Sequence, residues 1–316
     1  LGDVYKRQNE DIDRIEKEAK LAREGKINLV EKMIASLAPS IHGWKMEKLG
    51  LLLALFSGED QKLPDGTTQR HRIHVAMAGD PSVAKSHLLE FLDQIAPRSN
   101  LRSGEGVSGP GLTAAVVKDE GGDWILEAGV LVLADKGYAL IDELDKMNPE
   151  DRNRFHRAME QGDIRISKAG INATLNARAC VIAAANPKYG KWNRMKTLYE
   201  QLDLPPTILS RFDLIFIMLD EPDEEKDEKI FSTIASRWRK DKDYLSPPYD
   251  TDFLRKYIVY AKKKIKFVEL TKEAEDYLRK FYLSMRKRAM DEETPTLPIT
   301  PRQAQALIRL AEAHAR

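Results

Sequence analysis

The 316-residue sequence is poor in the features that mark several large classes of protein. It contains one cysteine, Cys180, which excludes a disulfide framework and a cysteine-rich zinc site. Its longest apolar run, residues 49–56, is far shorter than the ~20 residues that a membrane-spanning helix needs. No leader peptide is visible. We therefore expect a protein of a reducing compartment, the cytoplasm or the nucleus, with no membrane partner.

An excess of charge of one sign is also lacking. The 51 lysines and arginines are balanced by 50 acidic residues, which gives a formal net charge of +1. A protein that coats nucleic acid through its bulk charge would be strongly basic, so any contact with DNA must come from a local basic feature. The content of 42% hydrophobic and 32% charged residues is typical of globular domains with a charged surface. The length suggests about two structural units.

Short apolar runs of strand length alternate with helical segments through the first two-thirds of the chain. The strand-length runs are 73–78, 138–141, 179–185 and 214–219, and helices are predicted between them, for example at 86–96 and 149–160. This alternation predicts a parallel α/β sheet with crossover helices.

Both ends of the chain have helical patterns. Apolar residues recur at helical spacing over 11–37, and Pro39 ends that run, whereas residues 1–8 are expected to contribute little to the fold. A polar stretch at 241–250 is predicted to link the sheet to a second, all-helical unit. The helices of that unit are predicted at 251–264, 271–290 and 300–315.

One segment between a predicted strand and a predicted helix has the character of a phosphate-binding loop: Gly79, Asp80, Pro81, Ser82, Val83, Ala84, Lys85 and Ser86. The backbone N–H groups of such a loop form an anion cradle together with the helix N-terminus. Lys85 would reach the β- and γ-phosphates of ATP, and Ser86 would be a ligand of Mg²⁺. The general pattern has glycine where this chain has Ala84. From this segment alone, a simple strand-to-helix turn capped by Asp80 or Ser82 is the alternative interpretation.

A second apolar strand ends in two acidic residues, Asp142 and Glu143. An acid at the carboxyl end of a parallel strand lies in the crevice where open α/β sheets bind ligands. Asp142 would support the Mg²⁺ shell, and Glu143 would orient and polarise the attacking water. The alternative is an exposed acidic strand end. Together with the phosphate loop, the pair indicates ATP hydrolysis.

These motifs resemble the motor domain of the MCM replicative helicases, a family of AAA+ ATPases. The resemblance is carried by residues 133–135 and 141–147, which read Leu-Ala-Asp and Ile-Asp-Glu-Leu-Asp-Lys-Met, and by the phosphate loop, whose alanine is the family's form. It implies an α/β AAA+ P-loop NTPase with a parallel sheet flanked by helices, β-hairpin insertions and a C-terminal α-helical lid. The implied division is a helical lead-in over 1–35, the ATPase core over 36–240, a linker over 241–250 and the lid over 251–316.

The resemblance assigns three further residues to ATP chemistry. Asn186 resembles sensor 1, whose carboxamide contacts the γ-phosphate or the lytic water. Arg211 resembles the arginine finger and Arg302 resembles sensor 2, and both are implied to act on ATP held by the neighbouring subunit. The alternatives are a simple turn at Asn186, an ion pair between Arg211 and Asp213, and an ordinary helix residue at 302. Because the chain contains both halves of this shared site, we expect a homohexamer, as in the archaeal members of the family; a heterohexamer of the eukaryotic type is the alternative.

Two inserted segments predict β-hairpins, which the resemblance places at the central pore of a ring. Residues 116–126 read as two strands around an Asp-Glu-Gly-Gly turn, and residues 162–171 as a hairpin that turns after Lys168. Lys168 would hold a phosphate of single-stranded DNA without reading its sequence, and Lys118 is a second candidate. The implied function is ATP-driven unwinding of forked DNA during replication, with loading factors as further partners. The implied location is an archaeal-type cytoplasm and nucleoid, or the nucleus of a eukaryote.

Two other functions fit the ATPase motifs. One is an AAA+ machine of the chelatase or transcription-activator type that remodels proteins. Such a machine would share the ATPase residues but not the sequence motif of residues 133–147. The other is an assembly or loading subunit that binds ATP and barely hydrolyses it. The presence of Glu143, Asn186 and Arg211 argues against the second alternative.

Overall fold

A computed structural model of the chain describes residues 2–104, 111–118, 121, 124–147, 149–168, 170–239, 246–291 and 299–316. Its helices are α1 Gly2–Arg23, α2 Leu29–Ser36, α3 Lys45–Leu55, α4 Lys85–Ile95, α5 Val130–Leu133, α6 Pro149–Gln161, α7 Leu198–Gln201, α8 Pro206–Leu209, α9 Glu224–Arg239, α10 Thr251–Lys264, α11 Lys272–Asp291 and α12 Pro301–Ala315. Its strands are β1 Gln61–Lys62, β2 Thr68–Gln69, β3 Val75–Gly79, β4 Ser99–Ser103, β5 Ala114–Lys118, β6 Trp124–Ala128, β7 Tyr138–Asp142, β8 Asp163–Lys168, β9 Ile171–Asn176, β10 Cys180–Ala185 and β11 Leu214–Met218. In these ranges no helix combines the length and the apolar character needed to cross a membrane.

A parallel sheet of five strands lies at the centre, in the order β11-β3-β10-β7-β4. Because the strands share one direction, their carboxyl ends share one edge of the sheet. We call this the C-edge, where Gly79 ends β3 and Asp142 ends β7. The opposite edge is the N-edge, where Val75 begins β3 and lies opposite Leu214, the first residue of β11. The α/β prediction is confirmed.

Helices and hairpins cover both faces of this sheet. Val75 and Met77 of β3 belong to a buried cluster that includes residues of α3, α4 and α10. Ala76 and Ala78 of the same strand belong to a second buried cluster, with residues of α6 and of both hairpins. Alternate side chains of a strand point to opposite faces, so a strand buried on both faces reads as a continuous apolar run.

The single cysteine lies inside the first of these clusters. Cys180 is buried, and its thiol donates a hydrogen bond to the carbonyl oxygen of Ile73 at 2.8 Å. Burial raises the pKa of this thiol to about 12. The thiol is therefore protonated, packed and inert at neutral pH.

The first helical region differs from the predicted run over 11–37. It consists of two helices, α1 and α2, separated by a break in which Gly25 has a positive φ of 68°. Asn28 begins the second helix, because its side chain accepts a hydrogen bond from the backbone N–H of Glu31. Residues 2–8 are part of α1, and the expectation that the first eight residues contribute little to the fold stays a prediction.

Parts of the predicted loops lie outside the described residues. Of the predicted linker 241–250, residues 241–245 are outside, as are residues 119, 120, 122 and 123 of the first hairpin turn and residue 169 of the second. The predicted helix 251–264 matches α10, and Thr300 caps α12 through its side chain, with proline at the first helical position. Strand β4 and helix α9 were not predicted.

An ion-pair network at the N-edge joins the last helix to the sheet. The buried carboxylate of Asp213 accepts hydrogen bonds from Arg70 at 2.9 Å and from Arg309 of α12 at 2.5 Å. Its other oxygen accepts from the backbone N–H of His74 at 2.8 Å. Burial lowers the pKa of Arg70 to about 10, and the charge of Asp213 opposes that shift. One carboxylate thus links the start of β11, the approach to β3 and helix α12.

We expect Asp213→Asn to lower the free energy of unfolding by about 3 kcal/mol or more, because it leaves two largely buried guanidinium groups without their counter-charge. Denaturant unfolding measures the change. Asp203→Asn is the matched control, because Asp203 forms an exposed ion pair with Arg152 at 3.1 Å. That substitution should cost less than about 1 kcal/mol. Equal effects of the two variants would contradict a structural role for the Asp213 network.

Candidate active site

The predicted phosphate loop lies at the C-edge, where β3 meets α4. Gly79 has a φ of 151°, and a Cβ atom at this position would lie 1.9 Å from the carbonyl oxygen of Met218 on β11. Only glycine fits so close to a neighbouring strand. Ser82 and Ala84 have positive φ values of 69° and 67°, so the loop turns through conformations that L-residues rarely adopt.

Ala84 occupies the position where the general phosphate-loop pattern has glycine. It is the N-cap residue of α4, and it has the left-handed conformation that glycine would adopt without strain. No side chain caps this helix end, so the alternative in which Asp80 or Ser82 caps α4 is wrong. The backbone therefore has the shape that the glycine pattern specifies, although the residue is alanine.

Lys85 begins α4 and points back over the loop. Its ammonium group is buried and donates hydrogen bonds to the carbonyl oxygens of Gly79 at 2.8 Å and Asp80 at 2.5 Å. Burial lowers the pKa of Lys85, whereas the charges of Asp142, Asp80 and Asp145 raise it. The cation is thus held at the loop with carboxylates near it and no direct ion pair among the contacts described. It can exchange its two carbonyl contacts for phosphate oxygens.

Asp80 supports the loop from inside. Its buried carboxylate accepts a hydrogen bond from the backbone N–H of Trp192 at 2.7 Å and from that of Asp220 at 3.2 Å. These two residues follow β10 and β11. Asp80 therefore joins the loops at the ends of three adjacent strands, and both of its carboxylate oxygens accept hydrogen bonds there.

The two predicted acids lie at the end of β7, close to the phosphate loop. Asp142 accepts a hydrogen bond from the backbone N–H of Glu143 at 2.9 Å, and Glu143 has a positive φ of 52°. The Glu143 carboxylate accepts from the hydroxyl of Ser103 at 3.0 Å and pairs with Lys146 at 2.9 Å. The two acids therefore have different surroundings, and Glu143 is fixed by contacts from both sides.

Asn186 follows β10, which lies between β3 and β7 in the sheet. Its backbone N–H donates to the carboxylate of Asp145 at 2.8 Å, which fixes the end of β10 against the segment after β7. Its half-buried side chain lies at the C-edge with the phosphate loop. The structure thus brings Lys85, Asp142 and Asn186 to one edge. Sequence reasoning missed the role of Asp145, whose only signal was its place after the acidic pair.

Oxygen donors suited to Mg²⁺ are available at this edge. Asp142 offers a carboxylate, and Ser86, in the first turn of α4, offers an exposed hydroxyl. Mg²⁺ prefers one or two protein oxygens together with substrate phosphates and water. The donor set and the left-handed loop geometry fit a magnesium nucleotide.

The two arginines predicted to act on a neighbour lie at the other end of the sheet. Arg211 precedes β11 and donates to Nε2 of His156 at 3.1 and 2.9 Å and to the carboxylate of Glu160. Arg302 donates to the hydroxyl of Ser210 at 3.0 Å and lies 3.9 Å from Glu160. The expected alternative, an ion pair between Arg211 and Asp213, is wrong, because Asp213 pairs with other arginines.

The length of the sheet separates these arginines from the phosphate loop of their own chain. The loop follows the last residue of β3, whereas Arg211 precedes the first residue of β11, and the two strands are parallel and in register. Five residues at the rise of a β-strand span roughly 15 Å. Arg211 and Arg302 are therefore grouped together at the N-edge, on the side of the subunit opposite its own Lys85.

The two predicted hairpins are present and lie side by side. Strands β5 and β6 pair antiparallel, as do β8 and β9, and β5 packs against β8. Lys168 is exposed at the end of β8, opposite Ile171. Lys118 is exposed at the end of β5, and its ammonium lies 5.1 Å from the ring centre of Trp124. Each lysine thus stands at the turn end of its hairpin.

Comparison with known proteins agrees with this geometry. A family model described as the MCM P-loop domain matches residues 14–238, and one described as the MCM AAA-lid domain matches residues 252–316. The chain is 48% identical over 292 residues to the minichromosome maintenance protein MCM of Saccharolobus solfataricus, covering 90% of the chain and 41% of that relative.

Eukaryotic relatives are nearly as similar. The DNA replication licensing factor Mcm2 of Drosophila melanogaster is 42% identical over 98% of the chain, which covers 35% of that relative. The licensing factor mcm7 of Xenopus tropicalis is 43% identical over 90% of the chain, which covers 40% of that relative. The chain thus spans about two-fifths of the length of these curated relatives. With its P-loop core and its lid both matched, the chain belongs to the MCM family of AAA+ P-loop proteins.

Proposed function

We propose that the chain is the ATP-hydrolysing motor of a hexameric MCM-type DNA helicase. The observation that carries this proposal is the separation of two incomplete half-sites. A phosphate loop with its acids lies at the C-edge, and a pair of arginines lies at the N-edge of the same sheet. A head-to-tail neighbour would bring one half-site to the other, and closed head-to-tail contacts generate a ring.

Within one subunit, the groups at the C-edge would bind and orient ATP. The loop N–H groups and the N-terminus of α4 would hold the phosphates, and Lys85 would neutralise charge on the β- and γ-phosphates. Mg²⁺, bound through Ser86 and Asp142, would supply electrostatic stabilisation of the phosphate oxygens. Glu143 would accept a hydrogen bond from the attacking water and orient it, and Asn186 would contact the γ-phosphate or that water.

The neighbouring subunit would complete this site. Arg211 and Arg302 would each bring a guanidinium group to the phosphates, where negative charge shifts during phosphoryl transfer. Both halves are present in this one chain, so identical subunits suffice, and we propose a homohexamer. We further propose division into a lead-in over 1–35, a core over 36–240, a linker over 241–250 and a lid over 251–316.

The exposed lysines of the hairpins would contact single-stranded DNA. Lys168 and Lys118 stand at the turn ends of adjacent hairpins, and contacts to phosphates carry no sequence information. Repeated around a ring, they would form a basic collar in a chain of net charge +1. The proposed activity is translocation on single strands and unwinding of forked DNA during replication, with loading factors as partners. The corresponding location is the nucleoid or the nucleus.

Mixing two inactive variants tests the shared site. We expect Lys85→Ala and Arg211→Ala each to abolish ATP turnover, because each removes one half of every interface. An equimolar mixture should regain activity, since random assembly gives about a quarter of the interfaces both intact halves. Steady-state ATPase rates measured against protein concentration provide the test. A mixture as inactive as its components, in samples shown to be assembled, would contradict the shared site.

The DNA contact is tested with Lys168→Ala. We expect this variant to keep its basal ATPase activity and to lose unwinding, because the lysine touches DNA and not ATP. Lys263→Ala is the matched control, since Lys263 is also exposed and belongs to a denser basic run near the end of α10. The readouts are strand separation of a forked substrate and stimulation of ATPase by single-stranded DNA. Unwinding by Lys168→Ala at the control's rate would exclude the pore role.

Two other outcomes point elsewhere. Loss of unwinding in both variants would mean that any exposed positive charge matters, and not Lys168 in particular. A wild-type ATPase activity that does not respond to DNA would favour a protein remodeller.

A further inference from the structure

One acidic side chain at the N-edge contacts both of the arginines proposed to act on the neighbour. Glu160 lies near the end of α6, and one of its carboxylate oxygens accepts a hydrogen bond from Arg211. The other oxygen lies 3.9 Å from the guanidinium of Arg302. Arg302 is bound to Ser210, the residue next to Arg211, at 3.0 Å. The two arginines are therefore held in one cluster around a single carboxylate.

This cluster leaves Arg211 little access to solvent. Its side chain is 11% exposed, whereas those of Glu160 and Arg302 are 43% and 46% exposed. The Nη2 group of Arg211 is shared between Glu160 and His156, and Nε also donates to His156. Because a guanidinium only donates, Nε2 of His156 is an acceptor and the ring is neutral. Burial and the charge of Arg211 lower the pKa of His156, in agreement with that state.

A phosphate from a neighbouring subunit must therefore compete for Arg211. In the described arrangement the Nη2 group already donates to the Glu160 carboxylate. A nucleotide phosphate that binds Nη2 must displace that carboxylate, and one that binds through Nη1 meets its negative charge nearby. The same carboxylate offsets the repulsion between two like charges that are held close together. Both effects follow from the charge of Glu160 and not from its size.

We propose that Glu160 is a counter-ion latch, a positioning residue that holds Arg211 and Arg302 together on the free N-edge and is displaced by the phosphates of the neighbour's nucleotide. This proposal rests on the proposed function, because it needs the two arginines to act across the interface. The latch makes nucleotide-dependent association weaker than it would be with an uncompensated arginine pair.

The test is Glu160→Gln, which keeps the shape of the side chain and removes its charge. We expect the ATP concentration for half-maximal subunit association, followed by light scattering, to fall about two- to five-fold, the range for a partly exposed ion pair. The KM for ATP should fall in parallel, without a rise in kcat. Glu160→Asp, which keeps the charge, should stay closer to the wild type. Asp203→Asn, which removes an exposed acid paired with Arg152 of α6, should change neither value.

The direction of the change separates this role from a structural one. A variant that is merely destabilised would associate less well and would need more ATP, so an unchanged or increased ATP requirement for Glu160→Gln overturns the latch. Arg211→Ala, measured in parallel, separates this failure from failure of the proposed function. If Arg211→Ala abolishes turnover while Glu160→Gln behaves as wild type, the shared site stands and the latch is wrong. If assembled Arg211→Ala retains wild-type turnover, the proposed function is wrong as well.

Discussion

The common direction of the five central strands determines where each candidate functional group lies. Every loop that follows a strand reaches the C-edge, and every segment that precedes one leaves from the N-edge. The phosphate loop, Asp142 and Asn186 therefore lie together at this edge of the sheet. By the same geometry Arg211, which precedes its strand, cannot reach the loop of its own chain. The direction of the strands thus places the phosphate loop, Asp142 and Asn186 at one end of the sheet and Arg211 at the other.

The buried carboxylate of Asp213 relates the N-edge to the helical lid. Asp213 directly precedes β11. Its carboxylate binds Arg70, which lies before β3, and Arg309 of α12. Arg211 lies two residues before Asp213, and Arg302 lies about two helical turns before Arg309. Both arginines therefore lie on chain segments that this buried ion-pair network joins. The lid helix is fixed to the same point of the core from which Arg211 projects.

The sequence predicted the strands and helices whose pattern of apolar residues reflects how they are buried. Strands β3, β7 and β10 are buried on both faces and read as apolar runs, and the capped helix α12 was found almost to the residue. Strand β4 was missed because it is a half-exposed edge strand with the polar sequence Ser-Asn-Leu-Arg-Ser. The partner of Arg211 was also predicted wrongly. Asp213 is near it in sequence, but its carboxylate turns inward to Arg70 and Arg309, and helix α6 supplies Glu160 and His156, which no spacing rule could place there.

The packing of the one cysteine has a practical consequence for spectroscopy. Because the thiol of Cys180 is buried and bonded to the carbonyl of Ile73, the folded chain gives almost no background in thiol-specific labelling. A cysteine introduced at an exposed hairpin end would then carry the only reactive thiol of this 316-residue chain. Fluorophores or spin labels at such a site would report distances across the proposed ring and changes at the hairpins during nucleotide turnover. The chain therefore needs no cysteine-free background before such measurements are made.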